Sequence, residues 1–244
     1  MARGTGGPAV GFAEVMDRHI VACGGGGWSG EPGAGPLEDY ILGLAATDTP
    51  SVCLLATASG DSDWVITRFH EFFGRLPCRA THVALFRPHP EGVAEHLLAQ
   101  DVIYVAGGSS ANLMAVWGAH GLGAVLRAAW EGGTVMSGVS AGAICWFEQG
   151  LTNSLGAGFA PVRGLGLLPG GLCPHADGDP GRIPALVDLI DRGEMPPTIA
   201  VDDGAAVHLT DGAEPRVVSG APGRGARRVS AGGVIAPLEA VPAP

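Results

Sequence analysis

Lysine is absent from this chain, and all 14 basic residues are arginine. That excludes Schiff-base chemistry and the phosphate-gripping lysine of a P-loop. Positive charge is scarce altogether: 14 Arg face 24 Asp and Glu for a net charge of -10, which argues against nucleic acid as a partner. No stretch reaches the roughly 18 apolar residues that a membrane span needs. Residues 1–22 also lack the long apolar core of a signal peptide, so a soluble, cytoplasmic protein with no membrane partner is expected. Five cysteines (Cys23, Cys53, Cys78, Cys145 and Cys173) show no C-x-x-C spacing. An odd, scattered set reads as reduced thiols, most of them buried.

What the chain has in abundance is glycine, 41 residues of it, with 46% hydrophobic and 16% charged residues. Its length fits one sizeable α/β domain. Residues 1–18 read as a Gly-rich leader, 19–236 as a single domain and 237–244 as a Pro- and Ala-rich surface tail. Short apolar strands at residues 19–23, 52–56, 81–86, 102–105 and 133–137 alternate with helical patterns such as 37–46, 65–76 and 91–99. Such alternation predicts a three-layer, mostly parallel sheet with helices on both faces. Strand patterns at 199–201, 206–209 and 216–219 predict an antiparallel extension of that sheet at the C-terminus. Function should sit at the C-terminal ends of the parallel strands. Four loops there are rich in small or polar residues: 24–27, 57–61, 107–110 and the turn at Ser140.

That turn is Gly138-Val139-Ser140-Ala141-Gly142, with an apolar strand before it and a helix-like run to Phe147 after it. Composition alone would yield G-x-S-x-G about 0.3 times, so the pentapeptide by itself is weak. Its strand-turn-helix setting is what a nucleophilic serine needs, because glycines permit a strained elbow that presents the hydroxyl and aims N–H groups at an oxyanion. A helix N-terminus would add partial positive charge there.

Rival motifs are weaker. Gly25 to Gly30 satisfies G-x-G-x-x-G, but Thr57 stands where a dinucleotide site needs an acidic residue after the second strand, so a tight turn is expected. His175-Ala176-Asp177-Gly178-Asp179 could ligate a metal, yet no second histidine cluster completes the set, and neither metal nor cofactor is expected. His175 follows an apolar stretch and is the best-placed base for Ser140. Asp202-Asp203-Gly204 reads most simply as a turn near the same edge, a binding role being left open. Trp117, Trp130 and Trp146 fall in helix-like segments and are expected in the core.

Together these segments closely resemble the peptidase E family, serine peptidases on a fold similar to class I glutamine amidotransferases. The likeness runs in order through 24–27, 57–61, 101–105, 138–148, 173–175 and 202–204. The resemblance implies Ser140 as nucleophile, His175 as base, and Gly108 with Ala141 as oxyanion donors. It implies hydrolysis of dipeptides with N-terminal Asp; a sister branch degrades the aspartate-arginine polymer cyanophycin. Arg182, seven residues after His175, is the candidate reader of the substrate carboxylate. The partner would be a small peptide, a homodimer being left open. Two departures stand out. The family usually has three glycines and an Asn-Thr pair where this chain reads Ala106-Gly107-Gly108-Ser109-Ser110. Where characterised members carry a triad aspartate, this chain has Thr152-Asn153-Ser154. Glu148 is the preferred substitute, since some branches use a Ser-His-Glu triad; it would lie about two helical turns, roughly 12 Å, along a continuous helix from Ser140. Asp177 is the other candidate. Without a carboxylate the chain would be an impaired member that binds a small acidic metabolite or peptide. Amidotransferase-like chemistry would require cysteine at the elbow, where Ser140 stands.

Overall fold

The computed structural model describes residues 17–29, 35–87 and 91–243. The expected leader therefore lies almost wholly outside the described residues, as does Gly30 of the glycine motif.

The chain begins as expected. Strands β1 (Ile20–Cys23), β2 (Ser51–Leu55), β3 (Arg79–Val83), β4 (Val102–Val105) and β5 (Val135–Val139) run parallel in the order β1-β5-β4-β2-β3. All but β3 are buried throughout, which explains their continuous apolar character. Helices α1 (Pro36–Leu42) and α2 (Asp63–Phe73) cover one face, where Trp28, Leu37, Ile41, Phe69 and Phe73 close over Val21, Leu54 and Tyr104. Helices α3 (Val93–Leu98), α4 (Ser110–His120) and α5 (Leu122–Glu131) supply the other face, with Leu97, Leu113, Trp117, Leu126 and Trp130 against Ile20, Leu55 and Ile103. The two faces of the sheet thus have separate apolar clusters. Trp117, Trp130 and Trp146 are all core residues.

Past β5 the chain departs from the expected pattern. Helix α6 (Ala141–Ile144) is only four residues long, and Phe147 already opens strand β6 (Phe147–Thr152). Strands β7 (Ala160–Arg163), β8 (Leu168–Cys173) and β9 (Thr198–Val201) join β6 in a second sheet. Its full order is β13-β12-β9-β8-β6-β7, with β12 (Ala226–Ser230) and β13 (Val234–Leu238). Helix α7 (Arg182–Asp191) packs on this sheet through Leu186, Leu189 and Ile190 against Leu151, Cys173 and Val229.

Only part of the C-terminal extension therefore lies where it was expected. Strands β10 (Ala205–Leu209) and β11 (Arg216–Ser219) do extend the first sheet, β10 pairing antiparallel with β1 and β11 with β10. Residues 199–201, however, belong to β9 in the second sheet. Residues 237–244 are not merely a surface tail, since β14 (Ala240–Pro242) pairs parallel with β11. The three-residue link between β9 and β10 carries the chain from one sheet to the other, and it contains Asp203.

Among the described residues no helix is long and apolar enough to cross a membrane. All five cysteines are free; four are buried and Cys78 is half-buried. Burial pushes the Cys53 thiol up to about 12 and that of Cys173 to about 11.

Candidate active site

Ser140 occupies a sharp elbow between β5 and α6, with φ 57° and ψ -112°. A left-handed φ on a residue with a Cβ is strained and persists only where surrounding packing enforces it. Here the flanking glycines allow that packing: a Cβ on Gly138 would run into the Gly142 carbonyl, and one on Gly142 into the Val105 carbonyl. The elbow is thus sunk between neighbouring strands, with its backbone held by the Ser140 N–H donating to Cys23 O at 3.1 Å. Ser140 stays half-buried at the C-terminal end of the sheet.

His175 follows β8 of the second sheet and also has positive φ, 52°. Its Nε2 lies 2.8 Å from Ser140 Oγ. Its Nδ1 lies 2.6 Å from Asp203 Oδ1. With Nδ1 protonated, that ring nitrogen donates to the carboxylate and leaves Nε2 free to accept the serine proton. Gly25 makes room for this pair. A side chain at Gly25 would run into the Asp203 carboxylate and sit 2.6 Å from His175 Cε1.

The third partner corrects the sequence expectation. The resemblance to branches with a Ser-His-Glu triad points to Glu148, which a continuous helix would put roughly 12 Å along its axis from Ser140. The helix stops at Ile144, and Glu148 is exposed on β6, its Oε2 accepting the Gly170 N–H at 2.9 Å. Asp177 does not reach His175 either. Its Oδ1 accepts the Asp203 N–H at 2.9 Å and its other oxygen pairs with Arg224, so it steadies the Asp203 loop. Asn153 lies in a segment that meets the start of α4: Ser154 Oγ accepts the Ala111 N–H at 3.3 Å, and Thr152 Oγ1 is 3.4 Å from Ser110 Oγ. Asp203, the carboxylate that the structure sets against His175, was visible in the sequence only as half of an Asp-Asp-Gly turn; the signal was its place after a strand on the same edge as Ser140.

The loop after β4 also passes close to Ser140. A Cβ on Gly107 would be 3.4 Å from Ser140 Cβ, so this loop runs alongside Ser140. Gly108 has φ 142° and sits directly against the Ala58 carbonyl, where no side chain fits. Ser109 donates its N–H to that same carbonyl at 2.8 Å. Ala141 is the first residue of α6, so its N–H has no acceptor within the helix. A four-residue helix adds little dipole; any electrostatic help comes from individual N–H groups.

The metal reading of residues 175–179 finds no support in the geometry. His175 faces Ser140 and Asp203, Asp177 faces Arg224, and Asp179 Oδ1 accepts the Gly181 N–H at 2.8 Å. Among the described residues no group of His, Cys, Asp and Glu could hold a metal ion. Cys145, five residues past the nucleophile, is fully buried, with its Sγ 3.1 Å from Gly142 O and its thiol pushed well above the usual range by burial. A cavity of about 510 Å³, lined by Arg18, Trp130, Leu168, Ile199, Asp211 and Arg228 among others, lies at the opposite ends of the strands from Ser140.

Arg182, the candidate reader of the substrate carboxylate, lies in a helix. It is the first residue of α7, 7% exposed, with its guanidinium 4.6 Å from the centre of the Phe159 ring and beside the Cys173 thiol. Asp179 does not pair with it through side chains. Among the described residues no carboxylate lies within ion-pair distance of Arg182, and its buried Nε has no hydrogen-bond partner.

A strained serine at a strand-to-helix elbow, with an imidazole and a carboxylate aligned behind it, is the arrangement of a serine hydrolase. The comparisons narrow the class. The model of Peptidase family S51 matches residues 20–215, and the chain belongs to this family of serine-type peptidases. It is 43% identical over 212 residues, 87% of this chain and 92% of the relative, to the uncharacterized peptidase YgaJ of Bacillus subtilis (strain 168). Two solved structures share the fold. One is a peptidase from an acI-B1 Actinobacterium, with TM-score 0.66 and 18% identity over 92% of this chain and 98% of that one. The other is a putative peptidase E protein from Listeria monocytogenes EGD-e, with TM-score 0.60 and 14% identity over 82% and 98% respectively. The mixed α/β architecture is consistent with the class I glutamine amidotransferase-like fold.

Proposed function

We propose that this serine peptidase hydrolyses small peptides, best of all dipeptides with N-terminal Asp, through an acyl-enzyme on Ser140. The observation that carries the mechanism is the hydrogen-bonded line from Ser140 Oγ through His175 to Asp203, with spans of 2.8 and 2.6 Å. His175 takes the serine proton as Oγ attacks the peptide carbonyl, then returns it to the leaving amine. Asp203 holds the imidazole tautomer and stabilises the imidazolium. The N–H groups of Gly108 and Ala141 stabilise the oxyanion. Water, activated by His175, then releases the acyl group. The reading of an impaired binder rested on Asn153 replacing a carboxylate, and Asp203 removes that motive.

Arg182 supports the preference for aspartate. A buried guanidinium without a counter-charge is costly, and a substrate carboxylate would offset that cost through two parallel hydrogen bonds. The test is a panel of Asp-X and neutral dipeptides assayed with the wild type, Ser140→Ala and Arg182→Ala. Asp-X should be cleaved best, and Ser140→Ala should be inactive. Arg182→Ala should lose about 1.5–3 kcal/mol in kcat/KM on Asp-X while sparing slow turnover of neutral dipeptides. Equal loss on both substrate types would assign Arg182 to support of α7 instead of recognition, and turnover retained without Ser140 would overturn the mechanism.

A further inference from the structure

The three catalytic segments converge on one short stretch of backbone. Cys23 O accepts the Ser140 N–H at 3.1 Å, Gly24 O accepts the His175 N–H at 3.2 Å, and Gly25 O accepts the Gly204 N–H at 3.0 Å. Three consecutive carbonyls therefore hold the nucleophile, the base and the residue following Asp203. The stretch continues through Gly26 and Gly27, both at positive φ, into Trp28. Such a run has little stiffness of its own.

At the strand end the Gly24 N–H donates to Ala205 O at 2.9 Å; the far end is held by α1 and its neighbours. Glu38, in the first turn of α1 and 1% exposed, accepts the Trp28 N–H on Oε1 at 2.9 Å. Gly27 lies so close to the same carboxyl that a side chain there would collide with it. Arg68 donates to Trp28 O at 3.3 Å, and the indole is packed edge-on by Phe69, Phe73 and Tyr104. The second carboxyl oxygen of Glu38 is buried and has no hydrogen-bond partner among the described residues, and burial raises the group above the usual carboxylate range. Among the described residues no ion pair is formed by Glu38, and a buried carboxyl is an unusual choice for packing alone, since leucine or methionine would fill that volume without the desolvation cost.

We propose that Glu38 is a positioning residue for catalysis: its carboxyl anchors the glycine stretch whose carbonyls set the places of Ser140, His175 and the Asp203 loop. This rests on the triad reading above. The role asks for a hydrogen-bond acceptor at that point and not for a charge, so a neutral isostere should serve.

The test uses a fluorophosphonate, which reports the reactivity of Ser140 without any assumption about the natural substrate. Labelling of the full chain is followed by mass shift, giving a limiting rate and a half-saturation concentration, for the wild type, Glu38→Ala, Glu38→Asp, Glu38→Gln and Ser140→Ala. For Glu38→Ala the limiting rate should fall about 10- to 100-fold with half-saturation within about twofold, the signature of misplaced catalytic groups. Glu38→Gln should stay within about threefold of the wild type, and Glu38→Asp, one methylene short of Trp28, should be slow. A wild-type rate in folded Glu38→Ala, or a loss in Glu38→Gln as deep as in Glu38→Ala, would overturn the inference. If Glu38→Ala does not fold, slow Glu38→Asp beside fast Glu38→Gln supports the proposal, and equal rates overturn it. Wild-type protein that labels no better than Ser140→Ala would overturn the nucleophile reading and this inference with it, whereas the other failures leave the triad standing.

Discussion

Gly25 is the position where one added methyl group would do most harm to the site. Its Cα lies under the His175–Asp203 pair, and a Cβ would displace both groups. A shift of about 1 Å in a catalytic pair can cost on the order of 100-fold in rate. Gly25→Ala should therefore lower kcat/KM by about that factor while the protein remains folded, as read by steady-state kinetics beside circular dichroism; activity within about threefold of wild type would show that the pair has room to spare. At this scale Ser140 and His175 were legible because each ends a strand-like run in a recognisable segment. Ala141 follows Ser140 in the elbow and Gly107 runs beside it, while the next residue, Gly108, sits against the Ala58 carbonyl. Asp203 was not singled out because Asp-Asp-Gly is equally good turn chemistry, and nothing local distinguishes a turn aspartate from one whose carboxylate meets an imidazole 28 residues away.

At the scale of elements, the difference between expectation and structure is concentrated after β5. Residues 141–147 are apolar enough to continue a helix, yet the chain leaves it after one turn because Phe147 pairs with Leu168 and opens a second sheet. Pairing between distant strands has no local signature in an apolar run, so a buried helix and a buried strand look alike. The misplacement of Glu148 followed directly. Strand β10 carries a prediction of its own. His208 is buried there, with Nδ1 2.7 Å from the Tyr40 hydroxyl and Nε2 3.0 Å from His19 Nδ1. Burial, with His19 and Arg216 adding unfavourable positive charge, lowers its pKa to about 4. The unfolded chain, with an ordinary histidine near 6.5, takes up a proton that the folded chain refuses between those values. The contribution of neutral His208 is thus intact above about pH 6.5 and is lost as pH falls toward 4, on the order of 2 kcal/mol. His208→Gln should flatten the fall of Tm between pH 6.5 and 4 relative to wild type; an unchanged slope would assign the acid sensitivity elsewhere.

The whole molecule is organised so that neither sheet holds the candidate triad alone. Ser140 ends β5 of the eight-stranded sheet, His175 follows β8 of the six-stranded sheet, and Asp203 sits in the link where the chain crosses between them. The alternation of apolar strands with helices in the first half made the first sheet legible, and with it the edge where function would lie. The second sheet was hidden because β7 and β8 carry proline and glycine, which read as turns, and because its strands are ordered by crossovers instead of by sequence neighbours. The carboxylate that meets His175 thus comes from the crossing link and not from β6, and under the proposed mechanism it orients the imidazole. Side-by-side kcat/KM values for Asp203→Asn and Glu148→Gln, on an Asp-X dipeptide with folding verified for both, test it most directly. Asp203→Asn should fall about 10³- to 10⁴-fold with Glu148→Gln within about twofold of wild type. A severe loss in Glu148→Gln with Asp203→Asn near wild type would contradict the assignment.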